Sequence, residues 1–199
     1  SRFADALTAY QRVIDLYADT EAAEKAMYSA AWTLMDLERE DESIETMKRL
    51  VQTFPQGLYA RLAQFSIGDY AYSQQNLEEA REAYRVVVQR FPGTPEADKA
   101  TGLIGELTED IASRAYELAF VELDQGRYVS AVDGFDGVYT SYPETYSGLA
   151  ALANKGVALE KLGDGQQARV AYERVLELGA TDPEARSLSE FARLRLDNL

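Results

Sequence analysis

Few side chains in this sequence of 199 residues could carry chemistry. It has no His and no Cys. That removes imidazole bases, thiolate nucleophiles, disulfides and most zinc or iron sites. Carboxylates, Lys, Tyr and Ser are left, and paired carboxylates can work as acid and base in glycoside hydrolysis. The densest acidic run, Glu38-Arg39-Glu40-Asp41-Glu42, could hold a cation or a basic peptide; Glu106, Glu109 and Asp110 form a second group. The first group falls at a turn and helix start, where acids favour the helix dipole, and the second on the polar side of a helix. Both therefore read as solvated faces. We expect no enzyme, no cofactor and no metal site. The net charge of −14 argues against nucleic acid and anionic membrane surfaces, which require basic stripes. It reads as solubility, or as preference for a basic or neutral partner. No apolar run approaches the roughly 18 residues of a membrane span, so direct membrane insertion is not expected.

The elements that must position these residues are set by a repeat. A small-x-x-x-large core recurs at Ala6…Tyr10, Ser43…Met47, Ala80…Tyr84, Ala131…Phe135 and Ala168…Tyr172, at steps of 37, 37, 51 and 37. A period of this size predicts stacked supersecondary units, which build extended concave surfaces for other proteins. Apolar residues follow helical spacing nearly throughout, as in Leu7, Tyr10, Val13, Ile14 and Tyr17. Phe54-Pro55, Phe91-Pro92 and Tyr142-Pro143 stop three of these helices, because proline disfavours helix in the residue before it. A second helix precedes each, clearest at 21–38, 58–75 and 146–162. Twelve residues before each repeat position stands a small residue: Ala31, Gly68, Ala119 and Gly156. A close helix crossing needs such a residue.

Small residue, twelve-residue gap, Ala-x-x-x-Tyr/Phe, then Pro: this resembles the tetratricopeptide repeat. The best copy runs from Ala115 to Pro143, with Leu118, Ala119, Gly126, Tyr128, Ala131 and Phe135 in register. The period of 37 departs from the usual 34. Glu40 and Gly165 stand at an aromatic position, and Lys155 where leucine is usual, so the second and last repeats are expected to pack less tightly. Phe54-Pro55-Gln56-Gly57 and Tyr142-Pro143-Glu144-Thr145 are similar to a bacterial envelope subgroup, which includes the β-barrel assembly lipoprotein and the Tol–Pal periplasmic coordinator. The resemblance implies an all-α, right-handed superhelix of antiparallel helix pairs. One array is expected over residues 1–199, with repeat helices near 3–17, 21–54, 58–91, 95–141 and 145–178 and a capping helix near 183–197. It implies a non-catalytic scaffold for a protein or peptide partner, periplasmic or outer-membrane-associated, with a cytoplasmic setting as the alternative.

The 51-residue step predicts one long helix between Pro95 and Gly126, about 30 residues or roughly 45 Å long. Gly102 and Gly105 are candidate positions for a kink. Its stripe of Ile104, Leu107, Ile111, Ala115 and Leu118 must be covered by something. Either the insertion docks a partner or reshapes the array, or it only separates two stacks. Thr181-Asp182-Pro183 reads as the start of the capping helix. The chain begins inside a helical pattern and reads as a fragment whose first repeat lacks a helix, so stacking on a second copy is the competing function.

In this family the first helix of each pair lines the concave face. Carried over through the small residues, that places Tyr28, Trp32 and Met35 there, then Phe65, Asp69 and Tyr72, then Tyr116, Phe120 and Leu123. Such aromatics suit peptide capture, and the same spacing also suits core packing. The family's carboxylate clamp is not matched, because Tyr28 and Trp32 stand where its polar residues would be.

Overall fold

The computed structural model describes residues 2–180 and 183–199. Among them are ten helices. They are α1 (Arg2–Leu16), α2 (Glu21–Asp36), α3 (Glu40–Thr53), α4 (Leu58–Ser73), α5 (Leu77–Arg90), α6 (Pro95–Asp124), α7 (Tyr128–Ser141), α8 (Tyr146–Lys161), α9 (Gly165–Gly179) and α10 (Arg186–Leu196). The chain is all-α, built of helix pairs joined by short turns, with one helix of 30 residues and a C-terminal covering helix.

The turns explain the pairing. In α2–α3, α4–α5, α6–α7 and α8–α9, the connecting turn puts one residue at positive φ: Glu38, Gln75, Gly126 and Gly163. The next residue's N–H then reaches back to the last helical turn, as Arg39 to Leu34, Asn76 to Ala71, Arg127 to Glu122 and Asp164 to Leu159. This is the six-to-one closure that ends helices with a left-handed residue. Thr20, Thr145 and Asp164 cap α2, α8 and α9 by accepting backbone N–H bonds. Phe54, Phe91 and Tyr142 close α3, α5 and α7 just before their prolines.

The chain forms two compact units, residues 1–107 and 108–199. In the first, Met27, Ala31, Ile44, Met47, Leu50, Val51, Ala60, Ala63 and Ile67 make a continuous core. In the second, Phe135 and Val138 pack with Ala119, Ala151 and Ala158. Tyr172 and Val175 pack with Leu152, Leu159 and Ala192.

In the α4–α5 and α8–α9 pairs the small residue seats a ring, while in α6–α7 Ala119 lies at a close helix crossing, where a methyl on Gly134 would come 2.9 Å from its Cβ. A methyl at Gly68 would lie 2.6 Å from Cε1 of Tyr84, and one at Gly156 would lie 2.6 Å from Cε1 of Tyr172. Each glycine is a seat for the large residue sixteen positions on. The long helix is one element through Gly102 and Gly105. The capping helix runs from Arg186 to Leu196, and Thr181 and Asp182, expected at its start, lie outside the described residues. Lys155 pairs with Asp136.

Candidate functional site

In the first unit, α2 presents Tyr28, Trp32 and Met35 at helical spacing. Trp32 is 42% exposed, and its ring meets Tyr28 edge-on, with centroids 6.2 Å apart and planes at 76°. Tyr28 also lies 5.5 Å from Tyr59 of α4. Tyr28 and Met35 are half-buried against the core. On α4, Tyr72 is 49% exposed and Phe65 only 8%. Phe65 sits inside, its ring 5.1 Å from that of Tyr84 and covered by Lys99, whose Nζ lies 4.7 Å from the ring centroid. Phe65 therefore does not stand open. Asp69 is exposed, and its Oδ1 accepts a 2.6 Å hydrogen bond from the Tyr84 hydroxyl. Burial, and then this bond, push that hydroxyl well above the usual tyrosine range.

In the second unit, Tyr116 is half-buried between Phe120, at 6.0 Å, and Phe135, at 5.7 Å. Its hydroxyl accepts a 3.0 Å bond from Nδ2 of Asn154, and burial raises its pKa. Phe120 is 43% exposed. Leu123 packs against the core. Of the exposed rings, Trp32 meets Tyr28 and Phe120 meets Tyr116.

Sequence reasoning missed three contributors. Tyr59 joins Tyr28 from the next repeat, a meeting that local spacing does not signal. Glu24 is buried, and its Oε1 accepts from the N–H groups of Tyr59 and Ala60, at 2.7 and 2.9 Å. It caps α4 and so sets the start of the helix that carries Tyr59. Gly57 leaves room for it, since a methyl there would lie 2.0 Å from the same oxygen. Glu109 does the same for α8, accepting from Tyr146 and Ser147 at 2.8 and 3.0 Å. The reading of Glu109 as merely solvated was incomplete. The run from Glu38 to Glu42 is exposed, with Arg39 held by Glu42 at 2.6 Å. Partial burial, followed by Glu40 and Asp41, raises the neighbouring Tyr70 hydroxyl. Among the described residues no group of three or more acidic side chains gathers as a metal site. No helix there is long and apolar enough to cross a membrane.

Paired helices on a small-x-x-x-large repeat, with rings seated on Gly68 and Gly156, define a tetratricopeptide-repeat protein; the repeat model matches residues 1–57. The chain belongs to the YfiO family of outer membrane lipoproteins, whose model matches residues 69–174. It is 25% identical over 193 residues to the outer membrane protein assembly factor BamD of Neisseria meningitidis, covering 84% of this chain and 72% of that protein. Among solved structures, it is similar to the TPR domain of P58(IPK), with 17% identity and a TM-score of 0.46. That match takes in all of this chain and 52% of the other, so the chain spans about half its length. MamA is similar at 16% identity and a TM-score of 0.37, over 93% and 87% of the two chains.

Proposed function

We propose that this protein is a non-catalytic scaffold of the bacterial envelope that holds a segment of a partner protein on the aromatic surface of its first unit. The observation that carries the reading is the exposure of Trp32 and Tyr72 beside fixed neighbours, Tyr28, Met35 and Asp69. A large ring that stays open to water while its backing is rigid offers apolar area at little entropic cost. The indole N–H and phenol hydroxyl add directional hydrogen bonds. Phe65 acts from beneath, holding Tyr84 and hence Asp69. In the second unit, Tyr116 and Phe120 form a separate surface of the same kind. The likeness to an outer membrane protein assembly factor suggests a partner from that process, met on the periplasmic side of the outer membrane.

The test is capture of partners from envelope extract by wild type and by Trp32→Ala/Tyr72→Ala, with helicity checked by circular dichroism. A partner lost by the variant at unchanged helicity supports the reading. A partner held equally by both sinks it. An early-melting variant that still binds would make Trp32 core.

A second reading rests on α1. Ser43, Met47, Ala80, Ala131, Phe135, Ala168 and Tyr172 are fully buried, and Tyr84 nearly so. Their counterparts Ala6 and Tyr10 are only half-buried, and α1 buries no residue completely. This open seam fits stacking on a second copy. Sedimentation would then give a mass that rises with concentration and falls back on Tyr10→Lys; a constant monomer mass rejects it.

A further inference from the structure

The second unit carries another open face, unrelated to the aromatic surface. It lies on α6 and becomes visible when the four complete repeats are compared position by position. One residue before the small residue stand Ala30, Ile67, Leu118 and Lys155. Ala30 and Ile67 are 8% and 7% exposed, and Lys155 is ion-paired, whereas Leu118 is 72% exposed. Five residues before it, Ala26, Ala63 and Ala151 are buried, while α6 has the exposed Arg114. Two residues after it, Val121 is 46% exposed where α8 has the fully buried Ala158. The stripe that includes the buried Leu107 thus ends in the open at Leu118.

The equivalent faces show what covers such a surface. Against Ala60, Ala63 and Ile67, α3 packs Ile44 and Val51. Beside Ala151 and Ala158, α7 packs Val132, and its Tyr139 packs with Leu149 and Leu152. In both cases the cover is an amphipathic helix with large apolar residues seven apart, two turns along one side. Charge narrows the choice. Asp110, Glu117 and Asp124, all exposed, also recur every seven residues and so form an acidic column beside Leu118 and Val121, three carboxylates against the one basic side chain on this face, Arg114. With a net charge of −14, a second copy would bring like charge to this column. The geometry points to a partner helix that is amphipathic and basic, docking on Leu118 and Val121 in the way α3 docks on α4, its lysines or arginines facing Asp110, Glu117 and Asp124.

The probe is a fluorescein-labelled, hydrocarbon-stapled peptide of 18 residues, with valine and tyrosine seven apart and lysines on its outer face. Stapling is needed because free helices of this length are marginal. Anisotropy is read for wild type, Leu118→Ser/Val121→Ser, the equally open Val170→Ser on α9, and Trp32→Ala/Tyr72→Ala. The expected result is saturable binding that weakens at least about tenfold in the Leu118/Val121 variant and holds in the other two, roughly a 1.4 kcal/mol effect. The aromatic-surface variant keeps this test separate from the function proposed above. Equal binding by all four proteins, or equal binding of a scrambled peptide of the same charge, overturns the proposal. A rise in mass on sedimentation that Leu118→Ser/Val121→Ser abolishes would assign the face to a second copy and overturn it as well.

Discussion

At the scale of single residues, the glycines divide into two kinds that composition cannot separate. Gly68 and Gly156 seat the rings of Tyr84 and Tyr172, while methyls at Gly102 and Gly105 would meet nothing within 4 Å. Opposite signs follow. Gly68→Ala and Gly156→Ala force a buried ring to move and should each cost about 1–3 kcal/mol. Gly102→Ala should stabilise by about 0.5–1 kcal/mol, because glycine in a helix interior loses more backbone freedom than alanine. Urea unfolding midpoints of the three variants check this together. The ring hydroxyls add a pH signature. Tyr84 and Tyr172 are raised by burial and by their carboxylate partners Asp69 and Glu160. A raised folded-state pKa means that their contribution is fully present below the unfolded value, about 10, and is lost as pH rises beyond it. Stability should therefore fall above about pH 10, and less steeply in Tyr84→Phe/Tyr172→Phe, as urea titrations at stepped pH would read. The twelve-residue gap was legible in the sequence, but its reason was not. The ring that needs the space sits sixteen residues on, and only the folded pair brings the two together.

At the scale of elements, periodicity and punctuation mark many helix ends, because those boundaries have a local cause. Phe-Pro ends α3 and α5 and Tyr-Pro ends α7, and a residue at positive φ joins the two helices of each of the four pairs α2–α3, α4–α5, α6–α7 and α8–α9. What stayed hidden is how neighbouring elements hold one another. Glu24 caps α4 across 35 residues and Glu109 caps α8 across 37; nothing around either residue marks it as different from a solvated glutamate. Glu109→Ala strands the N–H groups of Tyr146 and Ser147 at the start of α8. It should cost about 1–3 kcal/mol and speed hydrogen exchange at those two amides before the rest of the helix. An unchanged exchange pattern would mean that water replaces the carboxylate without loss. The capping helix is tied in a comparable way. Arg195 donates to Glu160 through Nε at 2.9 Å and also through Nη2, and the Tyr172 hydroxyl donates to the same carboxylate. This fastening anchors α10 on the last pair. In the candidate site, the exposure of Trp32, Tyr72 and Phe120 follows from register, whereas the burial of Phe65 depends on Lys99 and Tyr84, which no helical spacing links to it.

At the scale of the whole molecule, the charge of −14 opposes one proposed contact and assists another, so salt separates them. Stacking of copies through α1 brings like charges together. Screening should therefore promote it, with the Debye length shrinking from about 10 Å at 0.1 M to about 3 Å at 1 M. Docking of a basic helix beside Asp110, Glu117 and Asp124 gains from the same field and should weaken as the field is screened. The aromatic surface, whose contacts are mostly apolar, should change least. We expect binding of the lysine-rich peptide to weaken several-fold between roughly 0.05 and 0.5 M NaCl, mainly through a slower on-rate. The sedimentation mass of the free chain should stay flat or rise over that range. Peptide binding indifferent to salt would show that Leu118 and Val121 act alone and that the acidic column only keeps the exposed face soluble. A free-chain mass that falls with salt would reverse the sign expected for copies meeting through α1, and would locate self-association at an oppositely charged pair of surfaces instead.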